Sequence, residues 1–453
     1  MFIAIITLFI IGYALIIAEH TVKIDKAATA LFIGVGCWIL LVMGVMILPE
    51  TSQIAFSHYQ TLEPENQIGL MGFFEFRLME HLQEIASILL FLMGAMTIVE
   101  IIDAHEGFSI ITQLITSKKK VSLLWIISII SFFLSAALDN LTTAIVMISL
   151  IRKLIPDQKT RWFFGGIIII AANAGGAWSP LGDVTTTMLW IGGQITAGNI
   201  MSQLFIPSLI SVLIPLIILS FLLKGNLEGS FANKASRDIQ KKDQYIALIF
   251  GLGGLLFVPI FKSLTHLPPF MGIMFSLGVL WMTTDWMHGR KLDEEKSRFS
   301  ALSALRKIDM PSVLFFLGIL LAVASLQELG ALAQASAWLK DTLHNPYAIN
   351  LTIGLLSSIV DNVPLVAASM GMYPIADTSS DPWLLHFVQD GTFWEFLAYC
   401  AGTGGSILII GSAAGVAVMG LEKITFGWFL KNITPWALIG YFAGACYFIL
   451  THW

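Results

Sequence analysis

Apolar runs recur along the whole chain, among them Phe2 to Ala18, Ala27 to Leu48 and Ser312 to Leu326. Each is close to the ~20 residues that cross ~30 Å of hydrocarbon as a helix. The longest polar stretches, Lys224 to Asp243 and Thr283 to Asp309, are short enough to read as loops between spans. The pattern therefore predicts an all-α polytopic membrane protein with no separate soluble domain.

Composition agrees with that pattern. The 453 residues are 56% hydrophobic and 12% charged, whereas soluble domains carry about 25% charged residues. Cys37, Cys400 and Cys446 fall in or beside apolar segments, which suggests packing and neither a disulfide framework nor a metal knuckle. The first segment lacks a basic leader and a small-x-small cleavage site, so it is expected to be a retained helix. Lipid is the expected surrounding, and nothing points to a nucleic acid or an organic cofactor.

The net charge of −5 matters less than where the charges lie. One assignment of loops to sides gathers the basic residues inside and leaves only Arg77, Lys262 and Lys340 of the 25 outside. The outer loops then carry Glu50, Glu63, Asp377, Asp381 and Asp390, and both chain termini face outward. Under this assignment the segment 121–151 has Lys118 to Lys120 at one end and Arg152 and Lys153 at the other, so it must enter and leave on the cytoplasmic side. As one helix it would be about 46 Å long, too long for one crossing and too short for two. A re-entrant hairpin fits. The segment 347–373, flanked by Asp341, Asp377 and Asp381, is expected to dip in from outside.

Three blocks recur in the same order at an offset of about 225 residues. FLMG at Phe91 is echoed by FLG at Phe316, SAALDNLTTA at Ser135 by SSIVDNVPLV at Ser357, and NAGGAWSPLGD at Asn173 by GTGGSILIIGS at Gly402. With the charge-derived topology the two halves run oppositely through the membrane. The expected fold is thus an inverted repeat with about ten full spans, two opposed re-entrant hairpins and two unwound helices. Its parts are N-terminal scaffold spans over 1–84 and a first transport repeat over 85–223, with its hairpin at 121–151 and a broken span at 162–188. A linker and further scaffold spans follow over 224–310. A second transport repeat covers 311–453, with its hairpin at 347–373 and a broken span at 395–418. Secondary transporters use such repeats for alternating access, holding their cargo where broken helices meet.

Asp139, Asp183 and Asp361 lie deep in apolar segments, where a charge costs at least ~2.5–3.5 kcal/mol. Each is either a helix N-cap or an ion-exchanging carboxylate. A dehydrated Na+ needs several hard oxygen ligands. The first half offers Ser135, Asp139, Asn140, Thr142 and Thr143 at its tip, then Asn173, Ser179, Asp183, Thr185 and Thr186 at its break. The second offers Ser357, Asp361, Asn362, Thr403, Ser406 and Ser412. Single hydroxyls are also routine helix-packing groups. Because a bound cation lowers a carboxylate pKa and desolvation raises it, Na+ and H+ compete for one group. Glu19, His20, His81, Glu100, Asp103, His105 and Glu106 fall near span ends and read as solvated interfacial residues, with a pH-sensing His the other reading. Lys423 reads as a cytoplasmic anchor.

The paired Asp-Asn tips, NAGGAWSPLGDVTTTMLW from Asn173, GTGGSILIIGSAAGVAVMG from Gly402 and GLEKITFGWFLKNITPWALIGYFAG from Gly420 resemble the NhaD sodium/proton antiporters of the ion transporter superfamily. The resemblance spans essentially the whole chain. It implies extrusion of Na+, and also Li+, in exchange for H+, and a homodimer whose scaffold helices hold two mobile transport domains. Carried over residue by residue, it implies functional roles for Ser135, Asp139, Asn140, Asn173, Asp183, Thr185, Thr186, Ser357, Asn362 and Ser406. The second break is poorer in hydroxyls and holds Ile409. Related anion symporters carry Ser-Asn-Thr at their tips, whereas this chain places Asp before Asn at both. The rival readings are a sodium-coupled anion symporter or an arsenite-type efflux permease on the same architecture. An intramembrane aspartyl protease is disfavoured, because its Tyr-Asp and Gly-x-Gly-Asp signatures are absent and Gly182-Asp183 matches only the final pair.

Overall fold

The computed structural model describes residues 2–44, 56–57, 69–112, 117, 119–223, 225–226, 240–288, 299–377 and 381–452. Glu50, Glu63, Lys118, the end of the 27–48 run and most of the 224–243 and 290–298 loops lie outside them, as do the side chains of His20 and Lys153. Among the described residues the chain is helical, with a lone bridge between Lys119 and Asn226 in place of any strand. Seven helices are long and apolar enough to cross a membrane, or eight if the pair Ala413–Glu422 and Phe426–Asn432, bent by 114°, is one span. This supports a polytopic membrane protein.

The residues group into two compact units, and each draws on both halves of the chain. The first comprises Met1–Leu90, Asp309–Ile349 and Val363–Ile375. In it α1 (Phe2–Ile17) packs on α2 (Lys26–Met43), and α2 packs closely on α11 (Met310–Glu328). Small residues make the second contact possible. A β-carbon on Gly34 would lie 2.4 Å from the Gly318 carbonyl oxygen, and one on Gly318 would lie 2.3 Å from the Ala30 carbonyl carbon. Backbones meet there directly, the usual solution where lipid offers no hydrophobic drive between helices. The Trp38 indole adds a hydrogen bond to the Leu321 carbonyl at 2.9 Å.

The long helix α3 (Leu70–Ala104) begins in this unit. Its Arg77 and His81, one turn apart, both reach Glu328: Arg77 Nη2 lies 2.7 Å and His81 Nε2 2.9 Å from Oε1. His81 and Glu328 are each 8% exposed. The solvated setting expected for His81 is therefore corrected to a buried one, and so is that for His105, which is 0% exposed and lies 2.9 Å from His288 Nε2. Apolar flanks hid the pairings because both partners are distant in sequence.

The second unit comprises Phe91–Ile308, Asn350–Asn362 and Ala376–Trp453. It contains α4 (Lys120–Leu138), α5 (Asn140–Leu154), α6 (Gln158–Ala177), α7 (Val184–Ile191), α8 (Ala197–Leu222), α9 (Lys241–Thr265) and α10 (Pro269–His288). After a short helix, α12 (Ala331–Leu343), in the first unit, come α13 (Pro346–Leu356) and α14 (Asn362–Met372). The second unit resumes with α15 (Thr392–Gly404), α16 (Ala413–Glu422), α17 (Phe426–Asn432) and α18 (Thr434–His452). Within it α4 and α5 pack on each other and on α6, and α16 packs on α5.

The interruptions have local causes. Helix α6 stops before Trp178-Ser179-Pro180, where proline has no N–H to donate and restricts its predecessor. Helix α15 stops at Gly404-Gly405. The two tips differ. Between α4 and α5 a single residue, Asp139, leaves the helix, whereas α13 ends at Leu356 and five residues pass before α14 begins at Asn362. Pro364 explains the difference, since its ring would clash with the carbonyl four residues back, at Val360, if the helix ran through.

Candidate functional site

Within the second unit the breaks and tips converge on Asp183, which is 2% exposed. It caps α7, with Oδ1 accepting from the Thr185 amide and hydroxyl, both at 3.0 Å. Its other oxygen, Oδ2, accepts from the Asn140 amide at 2.9 Å and the Asn362 amide at 3.2 Å. The Asn140 amide also donates to Asn173 Oδ1 at 3.0 Å, and Asn173 Nδ2 donates to Ser412 Oγ at 3.0 Å. One continuous network thus joins the first tip, the end of α6, the first break, the residue that opens α14 and the second break.

The N-cap reading and the site reading turn out to be compatible. Asp183 uses one oxygen to cap and offers the other to side chains from elsewhere in the sequence. Asp139 caps α5, accepting from the Thr142 amide at 2.7 Å and from its hydroxyl at 2.9 Å. Asp361, half-buried, directly precedes the bonded Asn362.

Other expected residues stand one step back from the carboxylates. Ser135 Oγ donates to the Ala172 carbonyl at 2.6 Å, next to Asn173, and Ser357 Oγ donates to the Ala401 carbonyl at 2.8 Å. Thr186 donates to the Asp183 carbonyl at 2.9 Å, and Ser406 to the Thr403 carbonyl at 2.6 Å. Each of these hydroxyls steadies the broken backbone and keeps its oxygen lone pairs. Ser412, offered by the second break but outside the set the resemblance implies, is the hydroxyl of that break that joins the network. Its place one residue after Gly411, where a helix restarts, was the available signal.

The two breaks are built alike. Asp183 and Ser412 cap the helices that follow with nearly the same backbone, φ −147°, ψ 145° and φ −145°, ψ 155°. A β-carbon on Gly182 would lie 2.7 Å from the Ser135 carbonyl oxygen, and one on Gly411 would lie 2.7 Å from that of Ser357. Each restart is pressed against its tip segment with no room for a side chain.

Chemically, the network gathers a carboxylate, amides and hydroxyls, all hard oxygen ligands suited to an alkali cation. The side chains bonded to Asp183 are neutral, so its charge is solvated by dipoles and stays available to a cation or a proton. Sequence reasoning missed the supports of this site. The Glu422 carboxylate, 3% exposed as a residue, accepts from Arg152 Nε at 2.5 Å and Arg161 Nε at 3.0 Å, tying α16 to the ends of α5 and α6. Lys262, read only as an outer charge, donates to the Trp190 carbonyl at 2.9 Å.

Comparison with known proteins points the same way. A family model described as "Citrate transporter" matches residues 3–388. The chain is 43% identical to sodium/proton antiporter 1 of Arabidopsis thaliana over 99% of its own length and 72% of that protein's. It is also 43% identical to sodium/proton antiporter 2 of the same plant, over 98% of each chain. The Na(+)/H(+) antiporter NhaD of Alkalimonas amylolytica is 31% identical over 97% of this chain and 88% of its own. Likeness at that level along nearly every residue, tips and breaks included, is membership: the chain belongs to the transporters that this family model describes and, among them, to the NhaD-type sodium/proton antiporters.

Proposed function

We propose that the chain is a secondary transporter, not an enzyme, that exchanges Na+ for H+ across a membrane by alternating access, with Li+ as a second cargo ion. The observation that carries this reading is Asp183, buried where tips and breaks meet and hydrogen-bonded by the neutral side chains of Asn140, Thr185 and Asn362. Na+ binds there through Asp183, Asn140, Asn173, Thr185 and Asn362, with Asp139 and Thr142 at the first tip and Asp361 at the second. Ser135, Thr186, Ser357 and Ser406 hold the broken backbone that frames them. Protons and Na+ compete for the same carboxylates, so a site that opens to one side at a time exchanges one for the other. An anion such as citrate fits poorly, because its carboxylates would face those of the protein with no cation bonded to Asp183 to offset them.

The topology belongs to the same proposal: about ten spans in inverted repeats with hairpins at 121–151 and 347–373, transport repeats at 85–223 and 311–453, scaffold spans at 1–84 and within 224–310, termini outside and a homodimer. Three observations support the repeat and the first hairpin. The two breaks share their cap geometry and their contact with a tip serine. Lys119, just before α4, pairs with Asn226, beyond the end of α8. Asp157, exposed in the loop after α5, has its carboxyl held below the usual range by hydrogen bonds from the Thr160 side chain and amide, with the positive charge of Lys120 adding to them. The nearness of Lys120 and Asp157 supports placing both ends of the 121–151 segment on one side.

Proteoliposomes decide the matter. Na+ is expected to drive proton efflux through the native protein, with K+ and citrate inactive. Asp183→Asn should lower the exchange at least ~100-fold, the equivalent of losing about 3 kcal/mol of a charge-assisted interaction. It should nonetheless fold, since Asn caps a helix as well as Asp does. A variant exchanging at the native rate would remove Asp183 from the site.

A further inference from the structure

The half-helix α7 is only eight residues, two turns long, and an isolated helix of that length is not stable by itself. Its N-terminal cap is Asp183, and so its placement sets where the carboxylate lies. Its other end is held from outside the helix. Lys262, in the last turn of α9, donates from Nζ to the Trp190 carbonyl at 2.9 Å and stands 4.9 Å from the centre of the Trp190 ring. The ring is itself 1% exposed and packs edge-on against Phe91. A cation at a helix C-terminus is favourable, and the more so where water does not compete.

The corresponding half-helix of the second break is anchored in the same manner. The last turn of α16 receives the Arg152 guanidinium at the Leu421 carbonyl and the Trp162 indole at the Glu422 carbonyl, 2.9 Å away. Each helix that leaves a break thus has its carbonyl end fixed by a basic side chain from another element.

We infer that Lys262 is a positioning residue for the ion site, acting through α7 on Asp183. The inference rests on the exchange proposed above. With both ends of α7 fixed, Asp183 Oδ2 stays within reach of Asn140 and Asn362 together. Releasing the Trp190 end lets the two-turn rod tilt or slide, and the carboxylate leaves the arrangement that binds the cation.

A through-space effect would have the opposite sign. Lys262 lies about 12 Å along α7 from Asp183, the rise of eight residues, and removing a positive charge there would make cation binding easier. The direction of the KM change therefore separates positioning from simple electrostatics.

The test is Na+-driven proton flux in proteoliposomes with Lys262→Met, Lys262→Gln and Lys262→Arg beside the native protein. Lys262→Met is expected to raise the KM for Na+ about fivefold, the size of a charge contact at a helix end, with the maximal rate kept within about twofold. Lys262→Gln, which keeps a donor without the charge, should lie between, and Lys262→Arg should restore the native KM. An unchanged or lowered KM in folded Lys262→Met overturns the inference. So does a fall in maximal rate alone, or the failure of both neutral variants to accumulate as folded protein, which would make the contact one of folding only. Native protein without Na+-driven flux would instead sink the exchange reading itself.

Discussion

Asp139 has φ 115° and ψ 161°, a region that residues with a β-carbon avoid and glycine tolerates. It is held there by what its carboxylate does, since both oxygens are engaged by Thr142 as α5 begins. Strain and cap oppose each other, and this yields a comparison. Asp139→Gly loses the cap and relieves the backbone, so its thermal unfolding in detergent should stay within ~1 kcal/mol of native. Asp139→Ala loses the cap and keeps the strain, and should be less stable than the glycine variant by about 1–2 kcal/mol. Both should lose most Na+/H+ exchange. Equal stability of the two would mean that Asp139 is not strained. At this scale the sequence was informative where a charge stood in an apolar run, as at Asp139 and Asp183. It was silent where the partner lay far away, as for His81 with Glu328 or Arg152 with Glu422, because no local pattern marks such pairs.

Between elements, the contact of α2 with α11 depends on two residues without side chains. Gly318→Ala would set a β-carbon 2.3 Å from the Ala30 carbonyl carbon, and the helices must part to admit it. A loss of about 1–3 kcal/mol is expected in thermal unfolding. Gly253→Ala is the control, because in α9 the added carbon meets nothing within 4 Å. There the better helix former should stabilise by roughly 0.5–1 kcal/mol. If both substitutions act alike, close approach is not what makes Gly318 necessary. That the elements are helices, several of them long and apolar enough to cross a membrane, was legible from the apolar runs. Their ends were less so: the Asp-Asn pair marked both interruptions, yet only the first is a single residue long, and Pro364 shows why when the clash four residues back is considered. Tight glycine contacts were invisible beforehand, since a glycine in a span reads the same whether it faces lipid or a neighbouring backbone.

For the molecule as a whole, charge patterning gave a topology that surface labelling can test. Cysteine introduced at Lys119 and at Lys159, which flank the proposed first hairpin, should react with an impermeant maleimide from the same face, and at Lys423 likewise. Asp377→Cys should react from the opposite one. All four positions are exposed. Labelling of Lys119→Cys and Lys159→Cys from different faces would replace the hairpin with a full crossing. Helix α4, at 19 residues, is long enough to make that outcome physically reasonable, whereas α5, at 15, is short for it. The recurrence of blocks along the chain carried the resemblance between the two breaks, but not the exchange of partners between them. That Asn173 of one half bonds Ser412 of the other, and Asn362 bonds Asp183, depends on folding and on no periodicity in the chain.

The contact of Gly182 and Gly411 with the carbonyls of Ser135 and Ser357 bears on how cargo preference could change. Where a binding cage is lined by bulky groups, evolution or an engineer widens it by paring them down. At Gly182 and Gly411 backbone meets backbone, and no side chain remains there to shorten. For the ion site proposed above, a change of cargo preference is therefore expected to run through the amides and hydroxyls around Asp183 and not through trimming at these two glycines.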